Sequence, residues 1–374
     1  MISLCLYFKQ KNNVVYIMSF DNNLRLIKRM ASELPSGQSL IVLYEPDTEA
    51  GATDLEAFGI TTYQFEEGLS FAFKLLPIIM SSRLVFCDNY YPFLGGLVHS
   101  SGLKIIQLWH ANGAIKKFGW ADPMTAKRSK SDQHRFQSVY NQFDEYVVAS
   151  KTMGRVFENS YHVPFERMQM LGYPRSDRFF KADWQTHAQS RVYVVAPELK
   201  DKRVILYAPT YRDGLAFTPP ADLLEAITVD PAAEVVVKLH PLLKNKEAEL
   251  AAENLKSGSN RIHFYNQLST SDLLSVTNTL ITDYSSVAFD YSLLPNAHSM
   301  LFFMFDLAEY QKNPGIQSDL LNWLPSKPIL TSAELAAAIK QNAKTDFTNF
   351  NQHWNTYNDG QATKRVIDRY IENR

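Results

Sequence analysis

The chain has 374 residues, 45% of them hydrophobic, and a formal net charge of −1. A single core stops growing near ~250–300 residues, so more than one domain is expected. The balanced charge provides no global field for nucleic acid. Cys5 and Cys87 both sit in apolar strand-like runs, which argues against a disulfide framework or a cysteine metal site and fits a reducing cytoplasm.

Lys9 interrupts the N-terminal apolar run too soon for a signal peptide. No stretch of about 18 uncharged apolar residues is present to span a membrane. Strand-like runs at 14–19, 39–44, 83–87, 104–109, 145–149 and 168–171 alternate with helical patterns at 23–34, 69–81 and 151–159, the last capped by Ser150. The segment 69–81 is apolar nearly all round, as a buried helix would be; an interfacial membrane helix is the alternative. Residues 180–202 read as polar and irregular, and the domain boundary is placed there, giving domains 1–185 and 186–374. The second half repeats the alternation, with strands at 204–208, 234–239, 261–264, 279–282 and 299–303 and helices near 221–228, 246–256 and 285–293. Helical patterns at 333–344 and 360–373 end the chain, and the last fits packing on either domain. Continuous Val/Ile/Leu strands between helices predict an α/β class with parallel sheets covered on both faces.

Polar residues fall at the ends of these strands. Leu108-Trp109-His110, Tyr207-Ala208-Pro209-Thr210, Lys238-Leu239-His240 and Ile281-Thr282-Asp283 each place a chemically capable group where an apolar run stops. Ligands of open parallel sheets bind outside the carboxyl ends of the strands, so these endings predict a cleft between two doubly wound domains. One such histidine is more often a structural hydrogen-bonding residue; two at matching positions point to chemistry. The stretch 278–290 runs from a strand through Asp283 into Ser285 and Ser286 at a helix start, a place for phosphate as well as an ordinary capped helix. Lys238 shares a strand face with His240. Arg212 has the fork suited to phosphate, and Asp213 could orient it. In 172–177, Arg175 and Asp177 read either as a turn-stabilising pair or as ligand contacts. Lys116, Lys117, Lys127, Arg128, Lys130 and Arg135 cluster after His110. They form a solvated face, a diphosphate contact or an anionic-membrane contact.

With these residues in place the chain resembles the CDP-glycerol glycerophosphotransferase family of teichoic acid synthesis. The resemblance is carried by Trp109-His110 with Ala114-Ile-Lys-Lys-Phe-Gly119, by Leu171-Gly-Tyr-Pro-Arg-Ser-Asp177, and by Ile205-Leu-Tyr-Ala-Pro-Thr-Tyr-Arg-Asp213. Lys238-Leu-His-Pro241 and Ile281-Thr-Asp-Tyr-Ser-Ser286 through Asp290 complete it. Polymerase-type members look like Trp-His-Gly-Thr-Pro, whereas this chain has Trp109-His-Ala-Asn-Gly113. With Cys87-Asp-Asn-Tyr-Tyr-Pro-Phe-Leu-Gly-Gly96 and the short length, it looks more like the primase type. The altered triplet bears on acceptor choice.

The resemblance implies a two-domain GT-B fold, no required metal or cofactor, and a peripheral enzyme on the cytoplasmic face of the membrane. The implied reaction adds glycerol phosphate from CDP-glycerol to an undecaprenyl-diphosphate-linked ManNAc-GlcNAc disaccharide. His110 would be general base on the acceptor hydroxyl and His240, with Lys238, would stabilise charge on the diphosphate. Arg175, Asp177, Thr210, Arg212, Asp213, Lys238, Asp283, Ser285, Ser286 and Asp290 would hold the donor. Lys116, Lys117, Lys127, Arg128 and Lys130 would meet the lipid diphosphate or headgroups. Alternatives are a glycerol- or ribitol-phosphate polymerase, a GT-B sugar-nucleotide glycosyltransferase or epimerase, and a silent protein that only binds a nucleotide or anionic lipid.

Overall fold

The computed structural model describes residues 12–66, 68–212 and 215–372, which leaves Cys5 and Asp213 outside the described residues. Two compact units are present. In the first, β1 (Val14–Met18), β2 (Leu40–Tyr44), β3 (Thr61–Gln64), β4 (Leu84–Cys87), β5 (Lys104–Gln107), β6 (Glu145–Val148) and β7 (Met168–Met170) form one sheet. Its order is β3-β2-β1-β4-β5-β6-β7, and every pairing is parallel. In the second, β8 (Arg203–Tyr207), β9 (Ala233–Val237), β10 (Ile262–His263), β11 (Thr279–Thr282) and β12 (Ser299–Phe302) run parallel in the order β10-β9-β8-β11-β12. All residues of β1, β4, β11 and β12 are buried. Helices therefore cover both faces, as the unalternating apolar runs require.

Each sheet reverses its strand order once, between β1 and β4 in the first unit and between β8 and β11 in the second. There the connections leave in opposite directions and open a crevice at the carboxyl ends. The first helix, Leu24–Glu33, buries Leu26, Ile27 and Met30 on the first sheet. The helix Lys151–Tyr161 starts at Ser150, whose hydroxyl accepts from the Met153 N–H at 3.1 Å. Among the described residues no helix is long and apolar enough to cross a membrane.

The chain divides differently from the sequence-based expectation. The first unit comprises Met1–Ala111, Gly119–Asp177 and Thr356–Arg374; the second comprises Asn112–Phe118 and Arg178–Asn355. The region read as an irregular linker is the helix Ala182–Val195, whose Trp184, Ala188 and Val192 are buried at intervals of one turn. Polar residues on its other face hid the period. Gln185 and Gln189 bond the Ser275 carbonyl, and Arg191 pairs with Asp272, so this helix belongs to the second unit. The final segment belongs to the first unit. Val366, Ile367, Tyr370 and Ile371 join Val14, Tyr16, Leu84 and Phe86 in one core cluster. The Tyr370 ring meets Phe86 edge-on at 5.6 Å, and its hydroxyl donates to Glu145 at 2.6 Å. The apolar segment near 69–81 is buried only in part: Leu75, Ile79 and Met80 face inward, while Leu69 and Phe73 are exposed.

A cavity at the fully buried Ile367 would sit in the core of the first unit. Ile367→Ala is expected to lower the unfolding free energy by about 2–5 kcal/mol, read by urea titration. A loss near zero would show that the C-terminal segment docks without contributing to that core.

Candidate active site

The first switch point is built around His110. β5 stops at Gln107, whose side-chain carbonyl accepts from the Trp109 N–H at 2.8 Å and whose amide donates to the Asn89 carbonyl at 2.9 Å. Trp109 then adopts φ 62°. That region is rarely occupied by a bulky side chain and is held only where the surroundings over-determine it. The kink turns the next residue, His110, back toward β4 and β1. Its Nδ1 lies 3.1 Å from the Asp88 carbonyl, and its ring stacks on Phe20 with centroids 4.3 Å apart.

A carbonyl can only accept, so the neutral ring carries its proton on Nδ1 and leaves Nε2 with the lone pair. Burial drives the His110 pKa down to about 4; the Asp88 carbonyl opposes the shift and the Arg175 charge adds to it. At neutral pH His110 is an uncharged base with its free nitrogen fixed.

Asp88 is a residue of this site that sequence reasoning misses. Its buried carboxylate accepts from the Ser19 N–H at 3.0 Å, the Phe20 N–H at 3.1 Å and the Tyr91 hydroxyl at 3.0 Å. The available signal was an acidic residue directly after an apolar strand, the same signal that marked Asp283.

At the second switch point the ordering group is Arg212. Its guanidinium is fully buried and pairs with Asp283 at 2.7 Å and Asp306 at 2.9 Å, while one nitrogen also donates to the Thr210 carbonyl at 2.5 Å. The rings of Phe217, Tyr284, Phe305 and Tyr310 surround it within 5.1–5.6 Å. Asp283 is equally occupied, accepting from Arg212, the Thr210 N–H at 2.8 Å and the Tyr284 N–H at 2.5 Å. The expectation that Arg212 and Asp283 touch the donor is therefore corrected. They pin the ends of β8 and β11, and they position Thr210. The Thr210 hydroxyl is buried and has no hydrogen-bond partner among the described residues.

Two further expected contacts are also structural. Asp177 accepts from the Ala362 and Thr363 N–H groups at 3.0 and 2.7 Å, capping the last helix. Around it, Tyr173 N–H bonds Asn358 and Arg365 bonds the Leu171 carbonyl. Gly172 has φ 80°, and a Cβ there would lie 2.0 Å from the Tyr357 carbonyl. Residues 171–177 thus dock the C-terminal segment, and Arg175 is the member placed near His110. Asp290 is buried and accepts from Asn112 at 2.5 Å. Gly113 allows this approach, since a Cβ there would stand 2.4 Å from the Phe289 ring. Asn112 and Gly113 are buried in the second unit, so these two residues of the altered triplet pack that unit.

His240 is exposed beyond β9. Its Nδ1 accepts from the Leu242 N–H at 3.3 Å, so the neutral ring carries its proton on Nε2. Its pKa is lowered by partial burial and by the Lys116 charge. Lys116 is fixed by backbone pairing to Ile316, and Lys117 N–H bonds Gly315. Lys238 donates to the Tyr265 carbonyl at 3.0 Å, and burial lowers its pKa. Ser285 and Ser286 are part-exposed before a helix of five residues, Val287–Tyr291, shorter than expected. The basic cluster is split: Lys116 and Lys117 lie in the second unit, and Lys127, Arg128 and Lys130 are exposed in the first, with Arg128 paired to Asp132.

Two measurements follow from this geometry. Arg212→Met leaves Asp283 and Asp306 facing a buried space without their cation. It is expected to lower stability by about 3–5 kcal/mol in a urea titration; a neutral result would show that the pin is dispensable. Second, the His110 ring should show no titration between pH 8 and 5.5 in proton-detected NMR, against an ordinary value near 6.5. The unfolded chain takes up a proton that the folded site refuses until about 4. The stability contributed by this group is complete above about 6.5 and is lost as pH falls toward 4. A midpoint near 6.5 would overturn the burial argument.

The family profile described as CDP-Glycerol:Poly(glycerophosphate) glycerophosphotransferase matches residues 1–372. The teichoic acid glycerol-phosphate primase of Bacillus subtilis (strain 168) is 28% identical over 374 residues, covering 98% of this chain and 93% of that protein. Among solved structures, a variant of the wall teichoic acid polymerase TagF superposes with TM-score 0.73 at 19% identity, covering 96% of this chain and 87% of the other. A putative UDP-N-acetylglucosamine 2-epimerase from Listeria monocytogenes gives TM-score 0.61 at 14% identity, covering 96% and 95%. These likenesses identify the GT-B architecture. With the profile matched over nearly its whole length, the chain is a transferase that belongs to the CDP-glycerol:poly(glycerophosphate) glycerophosphotransferase family.

Proposed function

We propose that this enzyme transfers glycerol phosphate from CDP-glycerol to a hydroxyl of an undecaprenyl-diphosphate-linked ManNAc-GlcNAc disaccharide, the priming step of wall teichoic acid synthesis. The observation that carries the reading is the neutral His110 with a bare Nε2 at the carboxyl edge of a parallel sheet. Family membership and the similarity to a glycerol-phosphate primase support the donor and the priming role.

The chemistry follows from the two tautomers. The acceptor oxygen attacks the phosphorus that bears glycerol and gives its proton to His110 Nε2. The bond between that phosphorus and the bridging oxygen breaks, and CMP leaves with the electron pair. General-base help of this kind is worth typically ~10²–10⁴-fold. His240, whose Nε2 is a donor, stabilises charge on the diphosphate, and Lys116 beside it adds a cation. Thr210, Ser285 and Ser286 supply hydroxyls at the carboxyl ends of β8 and β11. Lys238 and Arg175 add charge around the donor. Phosphoryl transfer depends on positioning and charge stabilisation, which these side chains supply in a reaction that needs no metal or cofactor on the family resemblance. The lipid acceptor places the enzyme on the cytoplasmic face of the membrane, and Lys117, Lys127, Arg128 and Lys130 contact anionic headgroups there.

The test is CMP release from CDP-glycerol with a short-chain analogue of the lipid-linked disaccharide, with product mass read alongside. One glycerophosphate added, with unchanged rate in EDTA and loss of about 10²-fold or more in His110→Ala, is expected. A ladder of additions would make the enzyme a polymerase, faster release from CDP-ribitol would change the donor, and normal turnover by folded His110→Ala and His240→Ala proteins would remove the mechanism.

A further inference from the structure

We propose that Asp88 is the positioning residue for the base: its carboxylate fixes the Ser19–Phe20 turn, and through that turn and its own carbonyl it holds His110 with Nε2 free. The inference rests on the reading of His110 as base. β4 lies between β1 and β5 in the sheet, so the residue that ends it borders both neighbouring strand exits. Asp88 uses this place twice. Its carboxylate binds the main chain leaving β1, at Ser19 and Phe20. Its carbonyl accepts from the imidazole leaving β5.

Phe20, oriented by those bonds, stacks against the His110 ring. Tyr91 completes the cluster, bonding Asp88, the Ile17 carbonyl at 3.1 Å and the Ser19 hydroxyl at 2.8 Å. Asp88 is fully buried and cannot touch substrate. Burial also pushes its pKa up to about 7, so the carboxyl is about half protonated at neutral pH and a fixed charge is not what the geometry uses. Acceptors aimed at two N–H groups are. An Asn can supply them: its oxygen accepts from Ser19 and Phe20, and its amide donates to the Tyr91 oxygen, whose own proton goes to Ile17.

The experiment compares Asp88→Ala, Asp88→Asn, Phe20→Leu and His110→Ala in the CMP-release assay, with thermal unfolding of each. A base displaced by about 1 Å loses on the order of 10²-fold in rate. Asp88→Ala is therefore expected to lose about 10–100-fold in kcat with KM for CDP-glycerol within about twofold, and Asp88→Asn to recover most of kcat. Phe20→Leu keeps every Asp88 bond, since the one made by residue 20 comes from its main-chain N–H, and should lower kcat several-fold without changing KM. If Asp88→Asn is as impaired as Asp88→Ala while folded, Asp88 acts through its proton or charge and the proposal fails. Wild-type kcat in Asp88→Ala beside an inactive His110→Ala overturns the positioning role alone; an active His110→Ala overturns the base assignment beneath it. Should Asp88→Ala not fold, Phe20→Leu and Asp88→Asn decide, and unchanged kcat in Phe20→Leu refutes the proposal.

Discussion

An imidazole with its proton held on one nitrogen offers the other as a base, and here a peptide carbonyl makes that choice for His110. The Asp88 oxygen cannot donate, so Nδ1 must. Burial then keeps the ring neutral, because a charged imidazolium would lose its hydration without gaining a carboxylate partner. The same logic runs in reverse at His240. There a main-chain N–H faces Nδ1, and Nε2 keeps the proton. Two histidines that look alike in sequence are thus prepared for opposite tasks by which backbone group each meets. Neither choice needs a second side chain.

The second unit shows how a charge can be structural while looking functional. Arg212 carries the planar fork that suits a phosphate, yet two carboxylates, a carbonyl and four rings already satisfy it. Burial works against its charge, but Asp283 and Asp306 outweigh that and keep it protonated. The result is a rigid join between β8 and β11 at the point where the sheet reverses direction. Thr210 is carried on that join, with its N–H tied to Asp283 and its hydroxyl left over. Rigid support of this kind is what a reaction governed by positioning requires.

The parallel sheets were legible because their strands are apolar on both faces, and the strand-end histidines were legible because each interrupts such a run. The edge strand β3 was not, since Thr61–Gln64 is short, polar and largely exposed. The helix Ala182–Val195 was not, since only Trp184, Ala188 and Val192 mark its buried face among many polar residues. Which strand-end groups remain available to a ligand was beyond the sequence altogether. Asp177, Arg212, Asp283 and Asp290 have the right chemistry, and each is engaged by a partner distant in the chain: Ala362 and Thr363, Asp306, Arg212 and Asn112.

The departure from the polymerase pattern is another case of partners distant in the chain. The triplet Ala111-Asn112-Gly113 is expected to bear on acceptor choice because it departs from that pattern. Its last two residues are buried, with Asn112 bonded to Asp290 and Gly113 set against Phe289, and the chain continues through Ile115 and Lys116 bonded to Gln317. A substitution there would alter how residues 112–118 are anchored in the second unit. Lys116 comes out of that anchoring beside His240, where its charge adds to burial in lowering the imidazole pKa. Main-chain bonds to Gln317 and Gly315 then hold residues 115–117, so the place of the Lys116 charge is set by packing within one unit.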